Sequence, residues 1–216
     1  MDKIRVRYSK TGSARYISHL DLMTTMKRAF IRAGVSLKYS EGFNPHPYLS
    51  VALPLSVGAE SVCELLDVAL VGGSAKERIN DYMPEGLKIQ KAYRAWRGFS
   101  EIKWIEVECR LVYNENVTDE LTEILTEGFA AESLVIMKRT KRGTSAFDVG
   151  PHICDVRVSR ADNMCFDVRA RISAQNPTIT QKDIISAVAI NERAPTPIYA
   201  EMKRVEIYDK DMLLFK

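Results

Sequence analysis

Two-residue and helical periodicities follow one another in the same order in each half of this chain, and few folds accommodate that succession. Lys3–Tyr8 alternates cleanly, with Ile4, Val6 and Tyr8 on one side and Lys3, Arg5 and Arg7 on the other. That pattern predicts a half-buried strand with a basic outer face. Ser18 opens a helix running to about Ala33, whose apolar stripe is Leu22, Met23, Met26, Phe30 and Ala33. Gly34 ends it. Tyr48–Leu53 and Cys63–Leu70 read as strands, and Gly72-Gly73-Ser74 breaks the chain. Ala75–Tyr82 reads as a short helix closed by Pro84 and Gly86, and Leu87–Tyr93 as a last strand. The order is β-α-β-β-α-β, the ferredoxin-like arrangement.

The second half repeats it. Ile105, Val107, Cys109, Leu111 and Tyr113 alternate with Glu106, Glu108, Arg110 and Val112. A helix follows at about Thr118–Phe129, then a strand at Leu134–Arg139. The basic turn Lys138-Arg139-Thr140-Lys141-Arg142-Gly143 leads into a loop. Ile153–Ser159 and Phe166–Ile172 form a hairpin across Ala161-Asp162-Asn163. Thr180–Ile190 is a helix capped by Thr180, with Asp183 three residues on, and Val205–Tyr208 closes the set. The expectation is an α+β chain of two tandem ferredoxin-like (βαββαβ) sandwiches, 1–97 and 98–216, the second bearing the basic hairpin. The repeat lies in element order, not in residue-by-residue similarity.

Composition narrows the function classes. Of 216 residues, 46% are apolar and 27% charged, an ordinary globular balance. The net charge is +3 and the pI about 8.6, which permits a nucleic-acid partner without demanding one. Apolar runs fall far short of the ~20 residues that cross a bilayer. The amino terminus enters a strand pattern without an apolar signal segment, so a cytoplasmic location and no membrane partner are expected. Cys63, Cys109, Cys154 and Cys165 are scattered, with no C-x-x-C pair. Cys109 and Cys154 fall on apolar sides of strands and read as core residues. No trio of cysteines could hold an iron–sulfur centre. No Gly-rich phosphate loop of the Walker or dinucleotide type is present. The residues therefore assign no cofactor and no metal.

Polar specificity concentrates in Tyr16–Glu60. Ser18-His19-Leu20-Asp21 and Ser40-Glu41-Gly42-Phe43-Asn44-Pro45-His46-Pro47 hold two of the three histidines. Ser18 and Asp21 suit a helix cap, which by itself explains both. His19 is not explained that way. In a first turn it is biased toward neutral imidazole, fit for a base or a ligand, or it sits hydrogen-bonded at the core edge. In the second segment Pro45, Pro47 and Gly42 restrict the loop that carries Glu41, Asn44 and His46, as a rigid binding loop requires. Arg15, Ser18, His19, Asp21, Glu41, Asn44 and His46 are the candidate binding residues. No catalytic residue is assigned. His19, Glu41 and His46 are close enough in sequence to converge, although their spacing matches no known metal-ligand pattern.

Arg5, Arg7, Lys138, Arg139, Lys141 and Arg142 are the candidate nucleic-acid contacts. With Tyr16 beside Arg15, and Trp96 beside Arg94 and Arg97, they give the mixture of cations and rings that binds single strands. The second sheet differs: its outer face mixes Glu106, Glu108, Asp155 and Asp167 with Arg110, Arg157, Arg169 and Arg171, which predicts a salt-bridged or interdomain face and no phosphate track.

Tyr16–Met23, Arg28-Ala29, Ala33-Gly34, Tyr39–Pro47 and Leu53-Pro54-Leu55-Ser56-Val57-Gly58 together resemble a bacterial family of radical-SAM-associated proteins, with Phe147-Asp148-Val149 similar to its later motif. The family is a domain of unknown function. It occurs alone or as a carboxy-terminal extension of cobalamin-binding radical SAM enzymes. The resemblance implies a radical SAM partner enzyme and an RNA or protein substrate, for which this chain is an accessory, substrate-recognition module. A second likeness, of architecture alone, is to CRISPR repeat-processing ribonucleases. It implies a metal-independent endoribonuclease in which His19 or His46 removes a 2′-hydroxyl proton beside Arg15 or Lys27.

Overall fold

The first strand alternates as its sequence requires, yet both of its faces are closed. In the computed structural model, which describes residues 3–71, 78–140 and 143–216, β1 is Lys3–Lys10. Val6 and Tyr8 are wholly buried in a core with Leu22, Met26, Ala29 and Phe30 of α1 (His19–Arg32). On the other side Arg5 is just as buried. Its Nε and Nη2 donate to the two carboxylate oxygens of Asp67 on β3 (Glu60–Ala69), at 2.8 and 3.0 Å. Nη2 also donates to the Arg97 carbonyl at 2.7 Å, and the Phe99 ring centre stands 4.4 Å from the guanidinium carbon. Arg5 is therefore not a nucleic-acid contact. The chain after the next strands folds back over it, fixed by the Ala95 N–H on the Lys3 carbonyl at 2.9 Å. Arg7 is half-buried.

Residues Met1–Glu101 and Ile102–Phe215 form two compact units. In the first, β2 (Leu49–Val51) and β4 (Leu87–Arg94) complete an antiparallel sheet of order β4-β1-β3-β2. The residues themselves set the ends of α1. Ser18 Oγ accepts the Asp21 N–H at 3.1 Å. Gly34, at φ +71°, turns the chain out, and the Val35 N–H closes on the Phe30 carbonyl at 3.0 Å. Lys10 is 2% exposed, and its ammonium donates to the carbonyls of Arg15 and Ile17 at 3.3 and 3.0 Å. Burial holds that amine below its ordinary range, while the charge of Glu64 opposes the shift. The single turn Gly12–Tyr16 is thereby tied to the end of β1. Residues 72–77, which include the Gly72-Gly73-Ser74 break and the first three residues of the helix expected over Ala75–Tyr82, lie outside the described residues. Ile79–Tyr82 is a 3₁₀ turn.

The second unit contains β5 (Trp104–Val112), α2 (Glu120–Phe129), β6 (Val135–Thr140), β7 (Gly143–Asp148), β8 (Ile153–Arg160), β9 (Cys165–Ser173), α3 (Gln181–Ala189) and β10 (Tyr199–Tyr208). Its antiparallel sheet runs β10-β5-β9-β8. With β6 and β7 set aside, that is the same permutation as in the first unit, and the class is α+β. The stretch expected as a loop after the basic turn is instead the strand β7, paired with β6 from Val135–Asp148 to Thr140–Gly143. Gly143-Thr144-Ser145-Ala146-Phe147-Asp148 carries little alternation of its own, so its partner strand defines it. The alternating residues of β5 bury Ile105, Val107, Cys109 and Leu111. Burial pushes the Cys109 thiol up to about 12. The expected ion pairs line the opposite face: Arg110 with Asp167 at 2.8 Å, Arg169 with Glu106 at 2.6 Å, and Arg171 with Asp155 at 2.8 Å.

The β6–β7 hairpin is anchored by Asp183. Its carboxylate accepts the Thr180 N–H and hydroxyl at 2.8 Å each, closing the capping box of α3, and the Lys138 ammonium at 2.9 Å. Lys138 also donates to the Thr178 carbonyl at 2.7 Å and lies over the Phe147 ring, which stacks on His152. Asp183→Asn is expected to lower stability by about 2 kcal/mol, since it weakens a cap and a charge-assisted bond together. A thermal melt superimposable on that of the parent protein would refute this.

Candidate nucleic-acid interface

Ser18 and Asp21 are explained by the start of α1. Besides the backbone bond, the Ser18 hydroxyl donates to Asp21 Oδ2 at 2.7 Å, so the carboxylate takes the serine side chain and not its N–H. His19 is exposed, in the first turn of α1, and is therefore not a histidine at the core edge. Just before the helix, the Arg15 guanidinium lies 4.9 Å from the Tyr16 ring centre and donates to its hydroxyl at 2.8 Å. Tyr16 is 61% exposed.

The loop after α1 is closed at its neck. The Ser40 N–H donates to the His46 carbonyl at 2.9 Å, the His46 N–H donates to Ser40 Oγ at 3.1 Å, and that oxygen stands 3.0 Å from His46 Nδ1. Tyr39 and Pro47 bridge as in a short antiparallel pair. Glu41, Asn44 and His46 are all exposed. Among the described residues, no hydrogen bond or ring contact joins His19 to Glu41 or His46. Nor does any group of three His, Cys, Asp or Glu side chains lie close enough to hold a metal ion. The structure thus gives no support to a metal-dependent site built from these three residues.

What the first unit does present is exposed rings backed by cations. Lys27 stands 5.7 Å from the Tyr39 ring centre and Arg94 4.8 Å from that of Trp96, which is 79% exposed. Six of the seven exposed aromatic residues among those described lie in this unit: Tyr16, Tyr39, Phe43, Tyr48, Tyr82 and Trp96. Charge is also unevenly placed along the chain. Residues 1–101 hold 15 Lys and Arg against 10 Asp and Glu, a net of +5; residues 102–216 hold 16 against 18, a net of −2. The Lys27–Tyr39 pair and the exposure of Phe43 were missed at the level of sequence. A phenylalanine between Gly42 and Asn44-Pro45 in a short loop was the available signal.

On the second unit, the Lys138 ammonium is engaged by the Asp183 carboxylate at 2.9 Å. Arg139 is exposed on β6. Lys141 and Arg142 lie outside the described residues. Among the described residues, no helix is long and apolar enough to cross a membrane.

A family described as an uncharacterized protein conserved in bacteria (DUF2344) matches residues 3–184. This chain belongs to the DUF2344 family. No curated protein matches its sequence. Among solved structures, a chain in the crystal structure of a Cbf5-Nop10-Gar1 complex is similar at 10% identity and a TM-score of 0.55, over 94% of this chain and 48% of the other. A chain in the archaeal box H/ACA sRNP Nop10-Cbf5 complex gives 12% identity and a TM-score of 0.47, over 93% and 46%. The DUF2344 chain therefore spans about half the length of these neighbours, and the first likeness is one of fold.

Proposed function

We propose that this DUF2344 protein is a substrate-recognition module that binds single-stranded RNA through its first unit and presents it to a separate radical SAM enzyme. The observation that carries the reading is the set of surface cation–ring pairs, Arg15/Tyr16, Lys27/Tyr39 and Arg94/Trp96, within residues 1–101, whose net charge is +5. Bases stack on such rings while cations meet the phosphates. The radical SAM partner comes from the resemblance of Tyr16–Pro47 and Leu53–Gly58 to radical-SAM-associated proteins. The cysteine spacing supports that division of labour: Cys63, Cys109, Cys154 and Cys165 are scattered in sequence and offer no cluster motif, so in this reading the radical chemistry belongs to the partner. We read both units as ferredoxin-like sandwiches, on the strength of their shared strand permutation. Titration of the protein into a fluorescent single-stranded RNA tests the reading. Binding at about 50 mM salt that weakens steeply with added salt is expected, and Tyr16→Ala and Trp96→Ala should each cost about 1–3 kcal/mol of affinity. No binding at low salt, together with no radical SAM enzyme recovered by pull-down from the native host, would dispose of it.

The Ser40–His46 contact favours a second reading, a metal-independent endoribonuclease. It holds the imidazole by one nitrogen, as an oriented acid–base requires. Cleavage of RNA in chelator that His46→Ala abolishes would establish it. Cleavage unaltered in His19→Ala and His46→Ala would remove it.

A further inference from the structure

We infer that the Ser40–Pro47 loop is a rigid finger whose Phe43 ring stacks on an unpaired base of the bound RNA strand. The inference deepens the RNA-recognition reading and rests on it. Phe43 is 111% exposed, so its ring touches nothing that would explain it as a packing residue. Single exposed apolar residues are common on soluble proteins, so what distinguishes Phe43 is its place at the tip of a closed loop, where the whole ring is open to a ligand.

The loop is not slack. Ser40 and His46 are joined by two bonds from backbone N–H groups and by the contact to Nδ1, and the Tyr48 N–H donates to the Lys38 carbonyl at 3.0 Å just below. Gly42 takes φ +115°, a conformation glycine adopts freely, while Pro45 and Pro47 fix their own φ angles. Residues 41–45 are thus projected from a closed neck with Phe43 at the centre. The ordering cost is met before any ligand arrives.

The neck indicates which ligand. Tyr39 lies under the Lys27 ammonium, the rings of His46 and Tyr48 stand 6.4 Å apart, and Lys38 is exposed. Glu41 is the one acidic side chain between Asp21 and Glu60. Rings and cations around a projecting phenylalanine suit a polyanion with flat apolar faces, and an unpaired nucleobase supplies both properties. A wedge of this kind inserts where bases are already unstacked, which predicts a preference for single strands and loops over duplex.

The test is a binding titration with a single-stranded RNA of about 12 nucleotides carrying one 2-aminopurine. Phe43→Ala should weaken affinity about 5- to 150-fold, without lowering the melting temperature, because no packing is lost. It should leave the salt slope unchanged, because the ring meets no phosphate. The wild-type protein should change 2-aminopurine emission on binding, and Phe43→Trp should retain both affinity and signal. If wild-type protein binds no RNA, the recognition reading has failed and this inference with it. If wild-type protein binds and Phe43→Ala binds equally well, only the finger is refuted. Unchanged RNA affinity combined with loss of a co-purifying radical SAM enzyme would overturn it in favour of a protein pocket.

Discussion

Arg5→Met should lower the stability of the protein by about 3–5 kcal/mol, because it strands the Asp67 carboxylate in a site with little access to water. The pair is bidentate and Arg5 is fully buried, so neither charge can turn to solvent when the other is removed. Removing both charges is a different matter. Arg5→Met with Asp67→Leu replaces two desolvated ions by packing groups and should recover most of the loss. Urea midpoints for the four proteins of this cycle measure the coupling directly. A single Arg5→Met variant within about 1 kcal/mol of the parent would show that the pair contributes little. The same variant bears on recognition. RNA affinity of the folded fraction should be unaltered, since Arg5 lies beneath the Arg97 carbonyl and Phe99 and cannot reach a ligand.

Gly86→Ala is the second large effect. The glycine sits at φ +84°, and a Cβ there would stand 2.2 Å from the Thr11 carbonyl oxygen and 2.8 Å from the Ala14 Cβ. The first of these is backbone and cannot swing aside. Left-handed strain of about 1 kcal/mol then adds to an overpacking cost of about 1–3 kcal/mol. The expected total, about 3 kcal/mol, should come with a displaced Gly12–Tyr16 turn, because the Thr11 N–H is bonded to the Gly86 carbonyl at 2.8 Å. That turn carries Arg15 and Tyr16. Gly86→Ala should therefore weaken RNA binding even at temperatures where the protein stays folded, unlike Arg5→Met. Affinity equal to the parent's in the folded variant would break the link between this glycine and the site.

Periodicity made the strands β1, β3, β4, β5, β8 and β9 and the helices α1 and α3 readable, because each carries a regular or continuous apolar run with a definite stop. Thr180 and Asp183 announced the start of α3, and Ser18 that of α1, through capping chemistry. The reading went wrong where partners distant in sequence decide the outcome. Nothing in Lys3–Tyr8 shows that Asp67, Arg97 and Phe99 will close over Arg5. Nor does the basic run around Lys138 show that its ammonium will pair with Asp183, forty-five residues away. The strand β7 is defined by pairing, which a local pattern cannot reveal. Of the candidate site, the two polar segments were legible from their residue types. Their expected convergence was not confirmed, since neither histidine makes a contact that joins them.

The sealed outer side of β1 has a broader meaning for how this protein can meet a ligand. Many nucleic-acid modules lay their strand across an open pleated table. Here the Arg97 carbonyl and the Phe99 ring cover Arg5, so the middle of that first strand is no table. If the proposed RNA recognition holds, it falls to turns and tips at the rim, where a side chain can change without disturbing the framework beneath. Selectivity in such a protein should change when short rim segments are exchanged, with the buried ion pair of Arg5 and Asp67 left in place beneath them.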